Sequence, residues 1–171
     1  MAVVRTAEAG LCAVERGATI LQLRQPGATA GELAAHARRL ANESPVPVVV
    51  SGRADLALAL RLGIHLPERD LPVSAVRRLL PWALIGCSVH DQEGALAAAR
   101  GGADYVVLGP VFPTPTHPGA AALGVERFRD IAAQVSIPVL AIGGMDAGRG
   151  AALGGAGYAA IRAFAVPPDR E

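Results

Sequence analysis

DYVVLGPVFPTPTHPG, residues 104–119, decides the architecture of this chain. Its first part, from Tyr105 to Leu108, is apolar without polar alternation. Such a run suits a strand covered on both faces, as in a parallel sheet. At Gly109 the run stops and a loop rich in proline and threonine begins. Pro110, Pro113, Pro115 and Pro118 cannot extend a ladder or a helix, so they stiffen that loop. Thr114, Thr116 and His117 are then held at the carboxyl end of a strand, where parallel α/β folds place their ligands. The alternative is a stiff connection that binds nothing.

Outward from this stretch, short apolar runs alternate with amphipathic ones. Strands are expected over residues 19–23, 46–51, 63–66, 83–88, 103–108, 137–142 and 157–163. Helices are expected over residues 6–16, 29–42, 54–62, 73–80, 91–100, 125–134 and 147–153. Leu33, Ala37 and Leu40 mark one apolar helical face. Thr29 and Asp91 stand where N-caps belong, and Gly17, Gly63 and Gly102 where left-handed C-caps belong. Repetition of βα units without a linker predicts one domain, a (β/α)8 barrel, with an open doubly wound sheet as the alternative. The pattern starts with a helix, and AVPPDRE is too short and proline-rich for a closing helix. The expected barrel therefore lacks its first strand and last helix. Two unpaired edges would face each other across a gap, and a homodimer over that gap is one expected outcome.

Composition narrows the function. With 171 residues and 51% hydrophobic content, the chain can bury a real core. A net charge of +1 gives no electrostatic case for nucleic acid or a membrane surface. Apolar runs are too short to span a bilayer, and MAVVRTAEAG lacks the form of a secretion signal. Cys12 and Cys87 carry no motif and read as small buried residues in a reduced, cytoplasmic setting.

Strand ends supply the candidate chemistry. Gln22 and Arg24 lie two apart, on one face of their strand, and a guanidinium there suits a phosphate. An interior pair between Arg24 and a carboxylate such as Asp70 is the alternative. Ser51-Gly52-Arg53 opens a helix whose free N–H groups suit an anion. Asp70, in HLPERDLP, is a cap, a solvated charge or a magnesium ligand that needs substrate phosphates to complete its shell. Ser88 and His90 close another strand, and a structural hydrogen bond is the plainer reading of His90. His36 reads as a solvated helix residue and His65 as a satisfied core histidine. No His, Cys and carboxylate cluster has zinc spacing. Gly143-Gly144 after a strand, with Arg162 on the next, describes a phosphate site.

In chain order, LQLRQ, SGRADLAL, GIHLPERDLP, IGCSVHDQEG, LGPVFPTPTHPG and IPVLAIGGM resemble the thiamine phosphate synthase / TenI superfamily. The resemblance runs from Leu21 to Phe164. It implies a (β/α)8 barrel. The synthases of this group join a pyrimidine methyl diphosphate to a thiazole phosphate with Mg²⁺ and release pyrophosphate. TenI-like members bind thiazole phosphate, and some are thiazole tautomerases. Gln22, Arg24 and Ser88 match diphosphate-binding positions, Asp70 a magnesium ligand, Thr114 and Thr116 the ligand-binding threonines, and Gly143 and Gly144 the thiazole-phosphate glycines.

Departures from the pattern matter as much. Pro26 and His117 stand where the synthases carry lysine, Ser51-Gly52 where they carry Asn-Asp, and Arg162 where they carry serine. Weak or absent synthase activity is the expectation, since stabilising separated charge is the main catalytic task. SGR, HLP and SVH look more TenI-like, but the tautomerase histidine after the strand-end glycine is Pro110 here. His117 and His90 are then the candidate proton shuttles. The leading expectation is a TenI-like barrel that takes a thiazole phosphate, with the tautomerase as its enzymatic form. The alternatives are a synthase in which Arg24, Arg53, Asp70, His117 and Arg162 serve the phosphates, and a non-catalytic binding barrel.

Overall fold

A computed structural model describes residues 1–114, 119 and 121–164. His117 and Thr116 lie outside the described residues. Seven strands run parallel in chain order: β1 Ala2–Val4, β2 Leu21–Leu23, β3 Val48–Ser51, β4 Gly63–Leu66, β5 Ile85–Val89, β6 Tyr105–Leu108 and β7 Val139–Ala141. Between and after them lie α1 Ala7–Glu15, α2 Ala30–Glu43, α3 Ala54–Leu60, α4 Val73–Leu79, α5 Gln92–Arg100, α6 Val125–Ala132 and α7 Ala147–Ala151.

The first strand is therefore present, contrary to expectation. AVV is wholly buried but only three residues long, too short to show a period, and it abuts the Thr6 cap of α1. The expected gap is also closed. Residues 158–160 bridge both edges, Tyr158 to Ala141 of β7 and Ala160 to Ala2 of β1. The Val3 N–H donates to the Ala160 carbonyl at 2.9 Å, and the Ala159 N–H to the Ala141 carbonyl at 2.8 Å. The segment expected as a seven-residue strand thus contributes two bridges, enough to occupy the eighth position of a barrel. Among the described residues no helix follows it. The two sheet edges meet within the chain, so the reason for a dimer over a gap is gone.

Helix ends follow the local chemistry. Thr29 and Glu32 form a reciprocal capping box, and the Asp91 carboxylate accepts from the Gly94 N–H at 2.8 Å. Gly17 and Gly102 adopt φ of +86° and +90° after α1 and α5. Gly63 does not: Arg61 takes the left-handed turn at φ +52° instead. Gly63 lies within β4 for want of room, because a Cβ there would stand 2.7 Å from the Leu84 carbonyl oxygen. His36 is not merely solvated, since its Nδ1 accepts from the Ala7 N–H and ties α2 to α1.

Most buried residues lie between strands and helices, where Phe128 and Ile131 of α6 are fully enclosed. Each such side chain contributes about 2 kcal/mol. A second, smaller cluster joins Met1, Val3, Tyr105, Val107 and Ala159. Val3, Val107 and Ala159 also line a cavity, so this cluster is the barrel interior beneath it. Among the described residues no helix is long and apolar enough to cross a membrane.

Candidate active site

A cavity of about 740 Å³ opens at the carboxyl ends of the strands. Alternation along each short strand selects its walls. Val3, Gln22, Ser51, His65, Ser88 and Val107 turn inward, while their neighbours pack against helices.

On the side of β2 to β5 the wall is made of side chains. Gln22 is buried, and its amide nitrogen donates to the Ser51 hydroxyl at 3.4 Å. The Arg24 backbone N–H donates to the Val4 carbonyl at 2.8 Å, which fixes the residue at the mouth, and its side chain lines the cavity. His65 is buried with both ring nitrogens engaged. Nε2 lies 2.8 Å from the Ser88 hydroxyl and Nδ1 3.2 Å from the Tyr105 hydroxyl. Burial, and next the Arg24 charge, push its pKa down to about 4, so the ring is neutral near pH 7. The Cys87 thiol is half-buried and pushed up to about 11, first by burial, so it is no nucleophile at neutral pH.

His90 and Glu68 sit together at the rim of this side. His90 Nδ1 lies 2.5 Å from the Gly109 carbonyl oxygen, which can only accept, so Nδ1 carries a proton. Nε2 faces the Glu68 carboxylate at 3.5 Å. A carbonyl and a carboxylate thus flank one imidazole at the cavity edge.

On the side of β6 to residues 158–160 the wall is mainly backbone. The loop after β6 is tied to the end of β7. Val111 N–H donates to the Ile142 carbonyl at 2.8 Å and Phe112 N–H to the Gly143 carbonyl at 3.1 Å. Gly143 and Gly144 have φ of +96° and +64°. A Cβ on Gly143 would stand 2.6 Å from that of Pro110, so only glycine permits this approach. Thr114 and Arg162 also line the cavity.

Arg149 also lines it and was not singled out from the sequence. Its guanidinium donates to the Gly144 carbonyl at 2.5 Å and lies 4.7 Å from the centre of the Phe112 ring. A basic residue one helical turn after the glycine pair was the available signal. Glu68 was likewise missed, inside the loop that drew attention to Asp70.

Two expected residues lie elsewhere. Arg53 donates to Asp55 through Nε at 2.8 Å and Nη2 at 2.6 Å, and it is not among the residues lining the cavity. The helix-opening carboxylate two residues on captures it. Asp70 is also outside the lining set. Its Oδ1 accepts from the Leu71 N–H at 2.7 Å, and its Oδ2 stands 2.9 Å from where a Cβ on Gly52 would be. Among the described residues no three His, Cys, Asp or Glu side chains converge to hold a metal. One capped carboxylate opposite a glycine does not fit a protein-built magnesium centre.

With this geometry in view, comparison with known proteins gives a consistent result. The model of the family described as thiamine monophosphate synthase matches residues 3–164. A thiamine-phosphate synthase of Chloroflexus aurantiacus is 39% identical over 92% of this chain and 76% of its own length. One from Methanospirillum hungatei is 43% identical over 90% of this chain and 79% of its own. The solved thiamine phosphate pyrophosphorylase from Pyrococcus furiosus superposes with a TM-score of 0.83 at 34% identity, covering 94% of this chain and 84% of that one. FabK from Thermotoga maritima, at 17% identity and a TM-score of 0.76 over 95% of this chain and 58% of its own, shares the fold alone.

Proposed function

The chain belongs to the thiamine monophosphate synthase family, and on that premise we propose that it joins a pyrimidine methyl diphosphate to a thiazole phosphate. One observation carries this reading. The cavity is lined by two groups of residues that we read as anion-accepting ends, Gln22, Arg24 and Ser88 on or just after β2 and β5, and Gly143, Gly144, Arg149 and Arg162 after β7 and residues 158–160. A reaction of two phosphorylated substrates needs both ends, and its relatives' names agree.

In the proposed reaction the bond between the pyrimidine methylene carbon and its diphosphate oxygen breaks, and that oxygen leaves with pyrophosphate. The thiazole nitrogen supplies the electron pair for the new carbon–nitrogen bond. Arg24 and Ser88 hold the departing charge, a task that grows toward the transition state. Gly143 and Gly144 bring backbone close to the thiazole phosphate, and Arg162 balances its charge. The interior wall of Val3, Val107 and Ile142 keeps water from the methylene cation.

The test is incubation of the purified protein with both substrates, with and without Mg²⁺. Thiamine phosphate and pyrophosphate in equal amounts are the expected products. A second reading is favoured by the His90–Glu68 pair at the rim. It is TenI-like tautomerisation of a thiazole phosphate, which needs one proton shuttle and no second substrate. A change in the thiazole absorbance without the pyrimidine, lost in His90→Ala, supports that reading over the first. Thiazole phosphate bound with neither product supports a non-catalytic barrel.

A further inference from the structure

His65 is buried at the base of the cavity and takes no part in the reaction as written. Three strands converge on it. β4 carries the imidazole, β5 the Ser88 hydroxyl at 2.8 Å and β6 the Tyr105 hydroxyl at 3.2 Å. Gly86 makes the arrangement possible, because any Cβ there would overlap the Tyr105 ring.

A neutral imidazole has one donor and one acceptor nitrogen, so the chain of hydrogen bonds must run in one of two directions. Tyr105 decides between them. Its ring lies among Met1, Val3, Val107 and Ala159, all apolar. Among the described residues His65 is the only hydrogen-bond partner recorded for its hydroxyl. If Nδ1 carried the proton, the phenolic O–H would point into that apolar cluster unsatisfied, which is costly. The phenol therefore donates to Nδ1, and the proton sits on Nε2. Nε2 then donates to the Ser88 oxygen, and the Ser88 proton is left pointing away from the ring. Ser88 lines the cavity together with Gln22 and Arg24.

We propose that His65, backed by Tyr105, is a positioning residue that fixes Ser88 as a hydrogen-bond donor toward an anion bound at the Gln22–Arg24 end. The inference rests on the reading of that end as a diphosphate site. A serine free to rotate can offer an anion either its proton or its lone pairs. A serine that already accepts from Nε2 can offer only its proton, and successive bonds of one direction strengthen each other.

Two measurements on the full chain test this, with inorganic pyrophosphate as the probe. First, long-range proton–nitrogen correlation spectra of labelled histidine report the tautomer of His65. The proton is expected on Nε2 in the wild type and redistributed toward Nδ1 in Tyr105→Phe. Second, calorimetry follows pyrophosphate binding. Ser88→Ala and His65→Leu should each weaken it about five- to ten-fold, on the scale of one bond to a charged group. The double variant should be no worse than either alone. His65→Gln, whose amide can still donate to Ser88, should recover most of the loss. Tyr105→Phe, which leaves the packing nearly intact, should weaken binding about three-fold and serves if His65→Leu does not fold.

A proton on Nδ1 in the wild type overturns the proposal, and so do additive losses in the double variant. Pyrophosphate that fails to bind the wild type with Nε2 protonated overturns the diphosphate reading, and the proposed role of Ser88 falls with it. Pyrophosphate that binds normally to His65→Leu leaves the diphosphate reading standing and removes His65 alone.

Discussion

The two sides of the barrel mouth offer an anion different materials. From β2 to β5 the wall is side chain: Gln22 on Ser51, His65 on Ser88 and Tyr105, Arg24 above them. From β6 to residues 158–160 the wall is main chain, glycines at positive φ pressed against Pro110 and the loop after β6. Polar side chains in a buried network fix direction, since each donor must meet an acceptor. Glycines fix distance, since the missing Cβ lets backbone N–H groups approach. The first side should therefore lose binding gradually as single groups are removed. The second should fail abruptly when volume is added.

Gly143→Ala is the sharpest way to break that contrast. Strain at φ +96° and the contact with Pro110 add, so the variant should lose about 4 kcal/mol in urea denaturation and all thiazole phosphate binding. Ser88→Ala, across the cavity, should lose less, about 1–2 kcal/mol, because it leaves the His65 Nε2–H without its acceptor. Equal losses at the two positions would erase the distinction.

Acid should act on the side-chain wall first. The His65 imidazole titrates near 6.5 when unfolded and at about 4 when folded. Between those values the unfolded chain holds more protons, so folding stability is full above pH 6.5 and falls as pH drops toward 4. The loss should reach about 3 kcal/mol at the bottom of that window. His65→Gln should remove this part of the slope when urea midpoints are compared from pH 7 to pH 4. A variant with the wild-type slope would place the acid sensitivity elsewhere.

Smaller effects should separate the two ends by ligand. Arg24→Ala should weaken inorganic pyrophosphate about ten-fold and leave thiazole phosphate nearly unchanged. Arg162→Ala should do the reverse. Calorimetry with each ligand on each variant gives four affinities, and matching losses in all four would mean a single anion site. Least of all, Arg53→Ala should alter either affinity by less than about two-fold. Its guanidinium is held by Asp55 at the surface, where an ion pair contributes little to stability or to a distant site.

Much of this was legible in the residues. The apolar run of β6 and the facing residues of α2 carry their own period, and Thr29 and Asp91 carry their own caps. Strand ends with Gln22, Arg24, Ser88 and Gly143-Gly144 marked the mouth, because in a parallel barrel every carboxyl end faces one way. Their joint presence around one cavity is what the alternation of short strands predicts. β1 was not legible, since three apolar residues have no period to recognise. Neither was the use of Arg149 and Glu68, nor the capture of Arg53 by Asp55, because the direction of a long side chain beyond a strand end is set by its neighbours in space.

The amino-acid order by itself thus determined the repeating unit, its caps and which residues reach the open end, all properties decided within a few residues of chain. Tertiary structure alone decided closure and polarity. The bridge from Ala2 to Ala160 joins opposite ends of the chain, and no local pattern encodes a pairing of that span. The hydrogen-bond direction through Tyr105, His65 and Ser88 depends on three strands meeting in an apolar interior, where an unsatisfied hydroxyl costs more than it would in water.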